Sequence, residues 1–310
     1  MTNGIRPARR ESLHPSRILV LAALCVIPAA AQPAEKSPAP AASLTVSHQA
    51  RSLQPGEVVL LTLHAPQPLR SAEAEAFGKT FPFFQEGDAT VWAGLLGIDL
   101  EVAAGRREVR IRAVQEDGKT LATRYDLAVK SKQFPTRRIQ VKQEYVTPPA
   151  EQLERIRMEA ERVRAIFAAV TPQRFWSGVF LRPVPGAATS SFGSRSIVNG
   201  QPRSPHTGAD FHAAEGTPVK APNAGKVVLV SDLYFSGNTV ILDHGQGLYS
   251  YFAHLSRFTV SEGEAISTGD LVGYAGATGR VTGPHLHWTL RLAEARVNPL
   301  SLLELFFELE

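Results

Sequence analysis

The sequence predicts a mainly β protein in which two β regions are joined by one helix. Short apolar or alternating runs recur along the chain, and each is closed by Gly, Pro, Asn or Asp. Only residues 150–170 carry apolar residues at sustained helical spacing. Apolar residues make up 44% of the 310, enough to build real cores and to exclude global disorder. The net charge is +4, with Lys and Arg scattered rather than gathered into a stripe. That distribution argues against nucleic acid as a partner. A mildly basic balance suits an anionic polymer or an envelope surface.

The N-terminus is read first. Arg6, Arg9, Arg10 and Arg17 precede "ILVLAALCVIPAAA", which ends in Ala29-Ala30-Ala31. A basic stretch, a short apolar run and a small-residue cleavage site form a signal peptide over 1–31. The run is shorter than the roughly 20 residues needed to span a bilayer. No membrane span is therefore expected once the signal is cleaved. Cys25, the only cysteine, lies inside this run, and Leu24 before it is too large for a lipid-anchor signal. The exported chain then has no thiol, so any metal site must be built from His, Asp and Glu.

Residues 32–42, "QPAEKSPAPAA", read as a flexible tether. From 43 to 132, "SLTVSHQA", "EVVLLTLHA", "ATVWAGLLGI", "REVRIRAVQ" and "TRYDLAVK" read as strands separated by "QPGE", "EGD", "AAGR" and "EDGK". This pattern predicts an Ig-like β-sandwich. His48 and His64 stand alone here and carry no cluster. Residues 133–177 form a connector. Thr147-Pro148-Pro149 opens a helix at about 150–170, whose apolar face is Leu153, Ile156, Val163, Ile166, Phe167 and Val170. Residues 178–300 form a Gly-rich β domain with an Asn199-Gly200 hairpin signal. The tail, 301–310, reads as a short helix or a docking strand.

Six of the nine histidines fall between 206 and 287. In "SPHTGADFH", His206 and Asp210 share a face at i and i+4. In "PHLHW", His285 and His287 share one face of a strand while Leu286 and Trp288 point to the other. Two imidazoles, a carboxylate and one open position make a catalytic zinc shell. A spare imidazole on that strand and His254 in "YSYFAHL" could move protons near neutral pH. From spacing alone, a metal site and a polar surface strand both stand.

At these residues the chain resembles a known family. "SSFGSR", "HTGADFHAAEGTPVKAPNAGKVV", "GNTVILDHGQGLYSYFAHLS" and "GATGRVTGPHLHW" resemble the M23 zinc metallopeptidases, the lysostaphin- and LytM-type endopeptidases of bacterial cell walls. The resemblance covers about residues 180–300 and implies an M23-type zinc groove. It implies one Zn2+ per chain on His206, Asp210 and His287. His285 and His254 would flank the nucleophilic water, with His285 favoured as the base. Asn238, Tyr249 and Tyr251 would line the groove, with Phe192 and Arg195 on a rim loop. His212 and His244 fit supporting roles.

The implied function is a secreted zinc metalloendopeptidase of the periplasm or cell envelope, acting on peptidoglycan stem peptides. A D,D-endopeptidase is favoured because no cell-wall-binding domain follows the motif block. The alternative is a non-hydrolytic or autoinhibited M23-like activator of cell-wall amidases, with the N-terminal β domain meeting an envelope protein. A lipoyl-type carrier is disfavoured because Lys220 and Lys226 sit in no hairpin-tip motif. No H-E-x-x-H occurs, so the histidines would replace a glutamate base.

Overall fold

A computed structural model describes residues 43–189 and 192–307. The expected signal peptide, the tether and the end of the tail lie outside the described residues.

The N-terminal region contains β1 (Thr45–Gln49), β2 (Val58–His64), β3 (Leu69–Ala76), β4 (Lys79–Gln85), β5 (Val91–Gly97), β6 (Gly105–Gln115) and β7 (Thr120–Val129). Their hydrogen bonding runs unbroken in the order β1-β2-β5-β4-β3-β6-β7, all antiparallel. β6 shows why: Val109, Ile111 and Ala113 are buried, whereas Glu108, Arg110 and Arg112 face solvent. The outer face is laced by pairs such as Arg110–Glu75 and Arg124–Glu108. The β3–β4 hairpin is the pair of strands the sequence reading did not place. Its turn is Phe77-Gly78, with φ of 54° and 72°. "LRSAEAEA" alternates with Ala rather than with branched residues, and Pro82 interrupts the next run, so neither strand announces itself.

The connector contributes β8 (Thr136–Ile139), a 3₁₀ turn at Ala150–Gln152 and α1 (Leu153–Ala168). α1 begins three residues later than the sequence suggests, because the chain after Pro149 makes a 3₁₀ turn first. It stops where Ala169 turns extended. Only its C-terminal half is covered. Phe167 is buried, with Val163 and Ile166 partly so, while Leu153 and Val170 are exposed. β9 (Arg195–Val198) and β10 (Gln201–Arg203) form the Asn199-Gly200 hairpin, and β8 joins β9 in parallel. Asn199 and Gly200 have φ of 48° and 84°, the conformation of a two-residue primed turn.

The C-terminal region holds β11 (Gly208–Phe211), β12 (Pro218–Lys220), β13 (Gly225–Leu233), β14 (Gly237–Gly245), β15 (Leu248–Phe258), β16 (Ala265–Ile266), β17 (Leu271–Ala275), β18 (Leu286–Leu292) and β19 (Ala295–Val297). They form one nine-stranded sheet, with β11-β18-β15-β14-β13-β16 as its spine. The tail is a helix, α2 (Pro299–Phe307). It packs Phe306 against Trp176, which also meets Phe84 of β4. No helix among the described residues is long and apolar enough to cross a membrane.

Candidate metal centre

The antiparallel register between β11 and β18 sets Asp210 directly opposite His287. On the other side of β18, β15 places Ala253 opposite His287, so His254 follows one residue later. His206 lies two residues ahead of β11. Gly208 lets that segment lie flat. A Cβ there would sit 2.6 Å from the Trp288 carbonyl and 2.8 Å from the His287 ring.

Three donors converge. His206 Nε2 is 3.1 Å and His287 Nδ1 2.9 Å from Asp210 Oδ1, and the two rings lie 4.6 Å apart nearly at right angles. The three ligand atoms lie within 4.8 Å of one another. Burial opposes charge on Asp210, but hydrogen bonds from His206 and His287 hold its carboxyl far below the usual carboxylate range. His287 Nε2 meets Thr289 Oγ1 at 2.9 Å. Were Nδ1 to bind a metal in place of its hydrogen bond to Asp210, Nε2 would carry the proton and donate to the Thr289 hydroxyl, a common way of fixing a ligand imidazole. Two imidazoles, one carboxylate and an outer partner fit Zn2+ with an open coordination position.

The other two imidazoles are held alike. His285 Nδ1 is 2.8 Å from the Gly283 carbonyl, and His254 Nδ1 is 2.9 Å from the Thr278 carbonyl. A carbonyl only accepts, so both rings donate from Nδ1 and keep Nε2 as an acceptor. The rings lie 5.0 Å apart, and His285 Nε2 is 3.8 Å from Asp210 Oδ1. His254 sits at a register shift between β14 and β15 with φ of 62°, rare for a residue with a Cβ. Burial pushes His254 down to about 3, and His287 and His285 push the same way.

The centre lies in a groove of about 710 Å³. Tyr251 lines it, as do Val163 and Phe167 of α1 and Arg137 and Ile139 of β8. The other groove candidates stand elsewhere. Tyr249 is buried against Phe167, with its hydroxyl donating to Ala169 O. Asn238 fastens a loop, donating from Nδ2 to Ser256 O and from its backbone N to Thr278 Oγ1. Arg195 is exposed on β9 outside the groove lining, and Phe192 is buried against Phe134. The exposed His212 takes no part. His244 is fully buried, donating from Nδ1 to Ala224 O and accepting at Nε2 from Ser250 Oγ. Ser250 Oγ in turn accepts from Trp288 Nε1, so this network props the far face of β18.

Sequence reasoning missed Thr289 and the groove arginines Arg203, Arg280 and Arg291. Thr289 could have been found, since H-x-H-x-T puts it on the face of both histidines. Arg280 lies within the "GATGR" run and carried no assigned role.

The fold and the donor set define a class: a single-metal centre built for hydrolysis, with two imidazoles poised beside an open position. The comparisons name the family. Residues 204–299 match Peptidase family M23. A crystal structure described as peptidase M23 from Pseudomonas aeruginosa is 32% identical, with TM-score 0.65, covering 83% of this chain and 97% of that one. The chain belongs to peptidase family M23, a zinc-dependent family. Among curated relatives, DD-carboxypeptidase/endopeptidase Mpg of Neisseria meningitidis is 41% identical over 97 residues, 31% of this chain and 22% of that protein. Peptidoglycan DD-endopeptidase ShyA of Vibrio cholerae is 40% identical over 97 residues, 31% of this chain and 23% of that protein. The chain thus spans less than a quarter of the length of these relatives.

Proposed function

We propose that the chain is a zinc metalloendopeptidase that hydrolyses D,D peptide cross-links of peptidoglycan. The observation that carries this reading is the convergence of His206, Asp210 and His287 beside the acceptor Nε2 atoms of His254 and His285. The names of the Neisseria and Vibrio relatives support the D,D bond.

His206, Asp210 and His287 would hold the zinc. When bound, the zinc polarises the scissile carbonyl and acidifies the attacking water. His285 takes the proton at Nε2, because it is the less buried of the two acceptors, and delivers it to the leaving amine. His254, kept neutral by burial, orients the water by accepting a hydrogen bond at Nε2. The carbonyls of Gly283 and Thr278 hold both rings in that tautomer. Residues 178–300 are assigned as the peptidase domain, and 43–132 as a β domain for an envelope partner. The signal peptide expected over residues 1–31 supports a periplasmic or envelope location.

A second reading has one observation behind it. β8 and α1, both upstream of the peptidase domain, line the groove. Access for a cross-linked polymer therefore depends on their position, which is how an autoinhibited or regulatory form would work. Digestion of purified cross-linked peptidoglycan, read by mass spectrometry, tests the choice. A hydrolase converts cross-linked dimers to monomers and stops when a chelator is added. Intact dimers beside zinc-loaded protein favour the regulator.

A further inference from the structure

We infer that Arg280 and Arg203 form a carboxylate-binding subsite in the groove, so that the preferred substrate carries a free carboxylate beside the scissile bond. This inference rests on the peptidase reading above.

The placement of Arg280 is fixed by the loop that fixes His254. Thr278 O accepts from His254 Nδ1, and two residues on, Arg280 N donates to Phe235 O at 2.8 Å. Gly279 between them has φ of 74°, and a Cβ there would sit 2.4 Å from Gly237 N. The base of the Arg280 side chain is thus held rigidly relative to the His254 imidazole. Its guanidinium lies 4.8 Å over the Phe235 ring and lines the groove. Stacking covers one face of the guanidinium and leaves its N–H edges available.

Arg203 lines the same groove, three residues before His206. One of its Nη atoms donates to Val146 O, and its Nε is buried without a hydrogen-bond partner among the described residues. Burial disfavours charge on Arg280, and Arg203 adds repulsion in the same direction, so the two guanidiniums feel each other. Two other partly buried arginines, outside the groove, are neutralised: Arg296 by Asp99 and Arg51 by Glu57. Neither Arg203 nor Arg280 meets a carboxylate among the described residues. Among the described residues, the only carboxylate lining the groove is Asp210, which is engaged by His206 and His287.

Two partly desolvated cations lining one groove without a counter-ion among the described residues cost stability unless a ligand neutralises them. A carboxylate meets that need with charge-assisted, two-pronged bonds. A neutral peptide, such as a glycine bridge, gains nothing from this wall.

The test uses the chain from Gln32 and two cross-linked stem-peptide dimers. They differ only in whether the carboxylate next to the scissile bond is free or amidated. Binding is measured by calorimetry on zinc-stripped protein, so that the carboxylate cannot act as a metal ligand. The free acid should bind about tenfold or more tightly than the amide. Arg280→Gln and Arg203→Gln should each reduce that preference to about twofold, and Arg280→Lys should restore part of it. Thermal melts confirm which variants fold, and either one suffices. Equal binding of acid and amide by the wild-type chain overturns the inference, as does a preference that survives both substitutions. Hydrolysis by the zinc-loaded chain is scored separately. If neither dimer is cut, the peptidase reading fails, whatever the binding preference shows.

Discussion

His287 touches both Asp210 and Thr289, one through each ring nitrogen, and its chemistry follows from that double attachment. Thr289→Val removes the outer partner while keeping shape. Zinc affinity should fall about 10- to 100-fold, measured by chelator competition, and Thr289→Ser should recover most of it. His244 makes a different prediction. Burial holds it down to about 4, against an ordinary value near 6.5. Between those values the unfolded chain binds a proton that the folded chain refuses. Stability therefore falls as pH drops through that window and is unaffected above it. The slope is about 1.4 kcal/mol per pH unit, roughly 3 kcal/mol across the window. His254, held lower still, adds a slope of the same sign, so urea unfolding at pH 7, 6 and 5 should show a steeper combined fall, and His244→Gln should remove about 1.4 kcal/mol per pH unit of it. At this scale the sequence was most legible for groups with fixed chemistry. H-x-x-x-D and H-x-H pointed to all three convergent donors. Tyr249 and Asn238 were misplaced because an aromatic or amide beside a site motif says nothing about what else packs over it or fastens it. Tyr249 shares its strand face with Tyr251, which does line the groove, but it lies farther along β15, where Phe167 and Ala169 cover it.

The elements around the groove depend on single turns. Asn199 adopts a left-handed φ and also grips the connector, accepting from Val141 N at 3.0 Å and donating to Val141 O at 2.9 Å. Asn199→Ala loses both contributions and should cost about 2 kcal/mol. Asn199→Gly keeps the turn and should cost about half of that, as read from urea midpoints. The Asn-Gly pair made this hairpin visible in the sequence, whereas Phe77-Gly78 hid the β3–β4 hairpin because Phe is not a turn signal. α1 was visible from its period, but its true contact was not. Helical spacing marks an apolar stripe without saying how much of it a neighbour covers, and here only the end near Phe167 is buried.

The two β regions are joined through packed contacts as well as through the connector. Arg296 of β19 binds Asp99, just after β5, through two guanidinium nitrogens and its backbone N–H. Asn298 N donates to Gly56 O, and Val58 N donates to Ser301 Oγ. A cation–π contact sets Arg174 3.9 Å from the Phe84 ring. These contacts were not legible in the sequence, since they pair residues from 90 to 243 positions apart. The chain from residue 43 should therefore unfold in one transition. Arg296→Ala leaves Asp99 half-buried and unpaired, and should lower the stability of the whole unit by about 3 kcal/mol. Two separate denaturation steps in the wild-type chain would contradict this coupling.

The most direct test of the assigned centre separates metal binding from turnover in one variant. Zinc content by elemental analysis and release of peptidoglycan fragments are measured together for the wild-type chain, His285→Ala and His287→Ala. The geometry predicts one zinc per chain in the wild type and in His285→Ala, with turnover falling about 10²- to 10⁴-fold in the latter. His287→Ala should lose both zinc and activity. A His285→Ala protein that still cleaves at the wild-type rate, or a His287→Ala protein that keeps its zinc, would contradict the assignment.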